Sequence, residues 1–259
     1  MKVVVTQPRT WTADPVQNFR GVERSQALAG VEVGPDDVLV LPELIGAAAA
    51  CAQYQALVSD LAVSLSCWVV GGSHQCHHPT GFVNHGVVCT PTGQVATELD
   101  KLNPYGPERD LGVQPGTRKG SFTVSGRRVV VALCADFFHP GWLAHERPDV
   151  VAVSAFSVTR LPFARPAREA WRHMTAARSY ELGAYVAVSD WAPSASYDGA
   201  FSSGAAGTAR PYPSTRGTYF KPIGKRTTAT LAVDADMLDA LRDDREQLGF
   251  LVREPPSKV

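Results

Sequence analysis

Long apolar runs are missing from this sequence: no stretch approaches the ~18 consecutive apolar residues of a membrane-spanning helix. An excess of one charge is missing too, since 25 Lys and Arg stand against 25 Asp and Glu without like-charge blocks. Nothing electrostatic therefore recommends nucleic acid or an anionic membrane surface as a partner. Cysteine is sparse and has no close-paired spacing (Cys51, Cys67, Cys76, Cys89, Cys134). Met1-Lys2 leads straight into Val3-Val4-Val5, with no secretory h-region or cleavage site. The expectation is a cytoplasmic protein with five free thiols. The common nucleotide-binding signatures are also absent. No GxGxxG occurs, and the glycine-rich Ser202-Ser203-Gly204-Ala205-Ala206-Gly207 carries no lysine.

What is present reads as globular: 259 residues, 44% of them hydrophobic and 19% charged. That length suits one domain over 1–250, followed by a polar tail, 251–259, containing Pro255-Pro256. Short β-branched runs alternate with longer helical patterns. Strands are expected at 3–7, 38–41, 68–72, 150–153, 185–189 and 227–233. Helices are expected at 15–29, with Asp14 as cap and Pro15 first, at 54–65, at 166–182 closed by Gly183, and at 237–242. Two hairpins are indicated. One joins 83–89 to 94–99 through Thr90-Pro91-Thr92-Gly93, the other joins 121–124 to 129–133 through Ser125-Gly126. This is a layered α/β pattern with mixed sheets, and so many strands suit two sheets packed face to face with helices outside.

Three reactive groups stand just past the ends of buried strands, where α/β proteins usually build sites. Glu43 follows Leu39-Val40-Leu41-Pro42 and precedes an apolar stretch, surroundings that raise a carboxyl pKa toward that of a useful base. Lys101 ends a hairpin strand and is followed, across two prolines, by Glu108; a cation there suits a developing oxyanion. Cys134 closes Val129-Val130-Val131-Ala132-Leu133, with Asp136 and Pro140 marking a turn behind it. Each has a plainer reading when taken alone: a solvated strand-end Glu, a surface Lys, a small buried thiol. A metal site among Cys67, His74, Cys76, His77 and His78 fits no tetrahedral spacing, and 74–79 reads as a loop. His173 and the arginines at 165, 168, 172 and 178 read as a solvated or packing helix face.

In this order Glu43, Lys101 and Cys134 resemble the Glu–Lys–Cys triad of the nitrilase superfamily, the carbon–nitrogen hydrolases. The resemblance extends over most of the chain: Leu41-Pro42-Glu43; Gly71-Gly72, Asn84 and Pro91-Thr92-Gly93; Glu108 with Pro115-Gly116; then Trp171, Ala177-Arg178, Glu181 and Tyr185-Val186. It implies a four-layer α-β-β-α sandwich of two mixed sheets with outer helices. It also implies an amidase-like hydrolase working through a cysteine thioester, with Glu43 as base, Cys134 as nucleophile, and Lys101 with backbone N–H groups on the oxyanion. Glu108 is implied as a second carboxylate orienting Lys101 or the substrate. No metal or organic cofactor is implied. The implied partners are a small amide-type or N-carbamoyl substrate and a second copy of the chain, paired through 140–147 and 166–182. Departures from the pattern fall at His139-Pro140-Gly141, Ser154-Ala155-Phe156 and Leu182, and they bear on substrate more than on chemistry. The modest length favours amides over nitriles. Three alternatives remain: a silent binding protein on the same fold, an acyltransferase sharing the thioester, and a papain-like Cys–His enzyme, whose local motif is missing around Cys134.

Overall fold

The computed structural model describes residues 1–78, 81–160, 163–197, 199–214 and 217–250. Its elements run β1 (Lys2–Thr6), α1 (Pro15–Ala29), β2 (Val38–Val40), α2 (Cys51–Leu65), β3 (Trp68–Val70), β4 (His74–His78), β5 (Gly81–Cys89) and β6 (Val95–Asp100). There follow α3 (Pro107–Asp110), β7 (Gly120–Val124), β8 (Arg127–Leu133), α4 (Pro140–Glu146), β9 (Val150–Ser154), β10 (Val158–Thr159), α5 (Ala164–Leu182) and β11 (Tyr185–Ser189). The last are β12 (Ser196–Tyr197), β13 (Ala200–Ser202), β14 (Gly207–Ala209), β15 (Phe220–Pro222), β16 (Thr228–Ala232) and α6 (Ala235–Gln247).

One sheet has the order β16-β1-β2-β3-β5-β4, with β6 also on β5; another has the order β15-β14-β11-β9-β8-β7; β10, β13 and β12 form a small third. Both large sheets are mixed. β1, β2 and β3 run parallel, as do β8, β9 and β11, and the flanking strands are antiparallel.

The period-two alternation of strand side chains then dictates the layers. Val3, Val5, Val38 and Val40 meet Val129, Val131, Val150, Ala152 and Ala187 in a core shared by both sheets. The alternate residues Val4, Leu39 and Val69 face Phe19 and Val22 of α1 and Tyr54, Val58 and Leu61 of α2. On the other side Val130, Ala132, Val151 and Val186 face Leu143 of α4 and Trp171 of α5. The result is an α-β-β-α sandwich of two mixed sheets, as the resemblance implied. Polar stitches cross between the sheets at their strand ends. Ser189 Oγ accepts from the Thr6 amide at 3.0 Å and donates to the Val40 carbonyl at 2.7 Å.

Helix ends and turns follow local chemistry. The Asp14 side chain accepts from the Val16 amide, with Pro15 leading α1, and Gly183 closes α5 in the left-handed region. Ser125 and Gly126, at φ 50° and 75°, make the β7–β8 turn.

Several expectations are corrected. Residues 74–78 are not a loop but the edge strand β4, paired with β5 from His74↔His85 to His78↔Gly81. Its alternation is carried by His74 and Cys76, both buried, a pattern that an apolar-periodicity reading passes over. Pro79 lies outside the described residues, as does the tail 251–259. The five cysteines are not all free. Cys51 and Cys76 form a disulfide across a Cα separation of 6.0 Å, while Cys67, Cys89 and Cys134 are free and buried. The partner was hidden because α2 begins at Cys51, ahead of the apolar stripe that marks it from 54. Helices α5 and α6 also extend beyond 166–182 and 237–242. Among the described residues no helix is long and apolar enough to cross a membrane.

Gly72 decides how closely β3 approaches the strand-end loop at residue 43. It sits at φ +69°, and a Cβ there would lie 2.1 Å from the Pro42 carbonyl oxygen. Gly72→Ala is expected to destabilise the fold by on the order of 2 kcal/mol or more, as strained backbone positions do. An unchanged urea midpoint would show that this approach is not required.

Candidate active site

Three strand ends converge at one edge of the sandwich: β2 leads to Glu43, β6 to Lys101 and β8 to Cys134. Each is held in place by backbone. The Glu43 amide donates to the Ala155 carbonyl at 3.2 Å, and its carbonyl accepts from Trp191 Nε1 at 2.8 Å. The Lys101 amide donates to the Asn84 carbonyl at 2.8 Å. Cys134 opens a 3-10 turn, Cys134–Phe138, with φ 42°, a left-handed conformation that costs a side-chain-bearing residue about 1 kcal/mol or more. Leu44 and Ala47, beside Glu43, also have positive φ. Strain of this kind persists only where surrounding contacts over-determine it.

The four residues singled out in the sequence meet here. Lys101 Nζ lies 2.7 Å from Glu43 Oε1 and 2.5 Å from Glu108 Oε2. Asn84 on β5 donates to Glu43 Oε1 at 2.9 Å and to Glu108 Oε1 at 3.0 Å, joining the two carboxylates from the other side. The Phe156 amide donates to Glu43 Oε2 at 3.1 Å, and the Cys134 thiol points at the Phe156 carbonyl, 3.6 Å away. The Cys134 thiol also interacts with the Glu43 carboxylate. Glu43, Lys101 and Cys134 are all buried, and Glu108 retains 18% side-chain exposure.

Burial sets the protonation states. Desolvation raises Glu43 to about 7 even though Lys101 pulls it down. Lys101 is buried too, but Glu43, Cys134 and Glu108 outweigh that cost and hold its ammonium charged. Burial, and then the Glu43 charge, push the Cys134 thiol well above its ordinary value. The attraction of Lys101 for a thiolate is outweighed, and the resting group is a thiol beside a carboxylate able to take its proton.

Two buried aspartates hold the loops around this group. Asp136 accepts from the Leu102 and Asn103 amides at 3.1 and 2.7 Å, fastening the chain after Lys101 to the Cys134 turn. Asp190, with no exposure, accepts from the Ser157, Trp191 and Ala205 amides and from the Ser157 hydroxyl, fixing the segment that carries Phe156. Asp190 was missed in the sequence although it stands just past the buried strand β11, where the same strand-end rule would have found it. Asn84 gives no strand-end signal, being one polar residue inside a strand, and stood out only among the residues that carry the resemblance.

Glu43, Lys101, Glu108 and Cys134 line a cavity of about 70 Å³ with Leu44, Gln75, Tyr105, Leu111, Phe156, Val158, Tyr197 and Ala200. Of the departures from the family pattern, Phe156 reaches the cavity wall. His139 and Gly141 are exposed, Ser154 is buried with its hydroxyl unpaired, and Leu182 packs beside the α4–α5 core. The metal-ligating reading of 67–78 is regrouped: Cys67 is buried apart under α2, and Cys51 takes its place beside His74 and Cys76. The helix-face arginines pair locally, Arg172 with Glu169 and Arg178 with Glu181.

No protein-family model matches the chain, and no curated protein matches it in sequence. Solved structures do match along nearly its whole length. One is a mutant amidase from Nesterenkonia sp. AN1 that shows Michael addition of acrylamide at its active-site cysteine. It is 16% identical, with a TM-score of 0.70, over 96% of this chain and 99% of that one. Nit3 from Saccharomyces cerevisiae, described as a member of branch 10 of the nitrilase superfamily, is 15% identical with a TM-score of 0.75 over 94% and 93%. XC1258 from Xanthomonas campestris, a CN-hydrolase superfamily protein with an arsenic adduct in its active site, is 18% identical with a TM-score of 0.74 over 99% of each chain. With these strand ends, this sheet order and these matches, the chain has the fold of the nitrilase superfamily.

Proposed function

We propose that the chain is a carbon–nitrogen hydrolase of the nitrilase superfamily, acting on small neutral amides through a thioester on Cys134. The observation that supports this is the convergence of a thiol, a carboxylate with a pKa of about 7 and a buried ammonium on one small cavity. As the Cys134 sulfur attacks the amide carbon, its proton passes to Glu43 and the carbonyl electron pair moves to oxygen. Lys101, with backbone N–H groups after Cys134, stabilises that oxyanion. The tetrahedral adduct collapses, the C–N bond breaks, and Glu43 gives the proton to the leaving nitrogen. Water then attacks the thioester while Glu43 accepts its proton; the second adduct collapses, the C–S bond breaks, and Glu43 returns that proton to sulfur, releasing a carboxylic acid and restoring the thiol and the carboxylate. Glu108 and Asn84 act as positioning residues that hold Lys101 and Glu43 apart at hydrogen-bonding distance.

The cavity wall also bears on substrate. Its volume is about 70 Å³, against ~300–1,000 Å³ for drug-sized ligand sites. Leu44, Leu111, Phe156 and Val158 are apolar, and Lys101 is the single cation among the described lining residues. An N-carbamoyl amino acid needs a second cation for its carboxylate. A short neutral acyl amide does not, so it is the better fit.

The test is ammonia release across short aliphatic amides, N-carbamoyl amino acids and nitriles. Short amides are expected to be hydrolysed, Cys134→Ala to be inactive, and Lys101→Ala to lose ~100-fold or more in turnover. No turnover on any compound, or wild-type rates in Lys101→Ala, would overturn the assignment.

The pH profile follows from Glu43, which accepts a proton only when ionised. Activity at limiting substrate should rise with pH through about 7, the raised value, instead of through the ordinary carboxyl range. In Lys101→Ala the limb should move higher still, because the cation that lowers Glu43 is gone. A limb near 4.5, the unperturbed value, would remove Glu43 as the base.

The same proposal includes a two-fold pairing through α4 and α5, beside which Phe138 and Phe163 leave large apolar surfaces exposed. Light scattering is expected to give twice the chain mass of 27.8 kDa. A clean monomer at assay concentration would refute the pairing.

A further inference from the structure

Away from the cavity, the start of α2 and the edge strand β4 bring three soft or borderline ligands together. Cys51 Sγ, Cys76 Sγ and a ring nitrogen of His74 all lie within 4.8 Å of one another. His74 is fully buried and stacked on Tyr54 with ring centroids 4.2 Å apart, so its ring is fixed. Its Nδ1 lies 3.1 Å from the Ala49 carbonyl oxygen. A carbonyl can only accept, so that nitrogen carries the hydrogen and Nε2 carries the lone pair. Nε2 is buried and has no hydrogen-bond partner. A buried, unsatisfied imidazole nitrogen costs stability, and native proteins rarely leave one without a reason. An imidazole whose other nitrogen is held by a backbone carbonyl is also the usual arrangement of a metal-bound histidine.

We propose that, with the Cys51–Cys76 bond reduced, Cys51, His74 and Cys76 bind one Zn²⁺ ion. Two thiolates and an imidazole suit Zn²⁺ by softness and by its tetrahedral preference. Cys51 is exposed, which leaves the fourth position to water. The Cα separation of 6.0 Å lets the sulfurs part to the roughly 3.8 Å that two Zn–S bonds of ~2.3 Å require, by side-chain rotation alone. The steps balance. A dithiol such as dithiothreitol gives two electrons and two protons to the disulfide and becomes a cyclic disulfide, leaving two thiols. Zn²⁺ then displaces both thiol protons. The disulfide and the metal are thus alternative cross-links between the same two elements: a small-molecule disulfide that takes the two thiolate electrons and two solvent protons, becoming two thiols, re-forms the Cys51–Cys76 bond and releases Zn²⁺. The site does not depend on the chemistry proposed for Cys134.

The experiment uses the full chain carrying Cys134→Ala, which removes the competing cavity thiol. The protein is reduced with dithiothreitol, desalted without oxygen, and titrated with Zn²⁺ against a chromophoric chelator, then with Co²⁺. One ion per chain is expected, with thiolate-to-cobalt charge-transfer absorption and tetrahedral ligand-field bands. Cys51→Ser alters an exposed residue and should leave the fold intact. It is expected to weaken binding by more than the ~10–100-fold typical of losing an outer partner only. Cys76→Ser and His74→Gln should do the same. The disulfide form should take up no metal at this site. Absence of the thiolate–cobalt band, or binding by Cys51→Ser or by the disulfide form equal to that of the reduced parent, would overturn the proposal.

Discussion

An ammonium group with 2% exposure has no water to support its charge. Lys101 must therefore keep its counter-charges within bonding distance, and much of the site's geometry follows from that demand. Glu43 on one side and Glu108 on the other meet it, and Asn84 donates to both carboxylates so that neither turns away. Removing one partner of such a buried group typically costs ~3–5 kcal/mol, because the other charge is left uncompensated. The loops carrying these residues come from distant parts of the chain, so each has to be fixed to its neighbours by buried hydrogen bonds. Asp136 does this between the Lys101 and Cys134 loops, and Asp190 does it for the segment ending at Phe156. Two aspartates that do not line the cavity thus fasten the arrangement alongside the residues that face it.

The same dryness governs the Cys134 thiol. In water a cation beside a thiol favours thiolate. Here burial, and the negative charge of Glu43, oppose ionisation more than Lys101 assists it. A thiol and a carboxylate near 7 share the site, so in the proposed mechanism proton transfer and attack belong to one event instead of a standing ion pair. The left-handed backbone at Cys134 fits this requirement. It turns the side chain out of the β8 line toward Glu43 and Phe156, and the contacts of the following turn absorb its strain.

Much of this was legible in the residues. Val38–Val40 and Val129–Leu133 are apolar enough to be nothing but buried strands, so the polar groups just after them stand out. The fourfold layering follows from the same valines, since neighbouring residues point to opposite faces and both faces need cover. Other features were hidden for physical reasons. Edge strand β4 reads His-Gln-Cys-His-His, and its buried positions are a histidine and a cysteine, which hydrophobic periodicity does not count. The strands β12 to β15 are two or three residues long, too short for any period to show. Cys51 pairs with Cys76 through tertiary structure alone, the two standing 25 positions apart in sequence. The raised thiol pKa depends on burial from all sides, which no local pattern reports.

The segment from Glu43 to Cys51 links the cavity to the Cys51–His74–Cys76 group, and its fastening decides how strongly the two can influence each other. The Leu44 amide donates to Ser73 Oγ at 2.9 Å, the Gly46 amide to the Ser73 carbonyl at 3.0 Å, and the Gln75 amide to the Ala47 carbonyl at 2.8 Å. His74 Nδ1 holds the Ala49 carbonyl. The loop is thus attached to β4 and its approach at nearly every turn before Cys51 is reached. A cross-link at Cys51, whether sulfur to sulfur or through a metal, adds one more constraint to a segment that is already constrained. Its loss is therefore absorbed first at the exposed start of α2, where few buried contacts resist local opening. Glu43, held by Ala155 and Phe156 just after β9 and by Trp191 just after β11, is insulated from that end of the loop by bonds that do not pass through Cys51 at all.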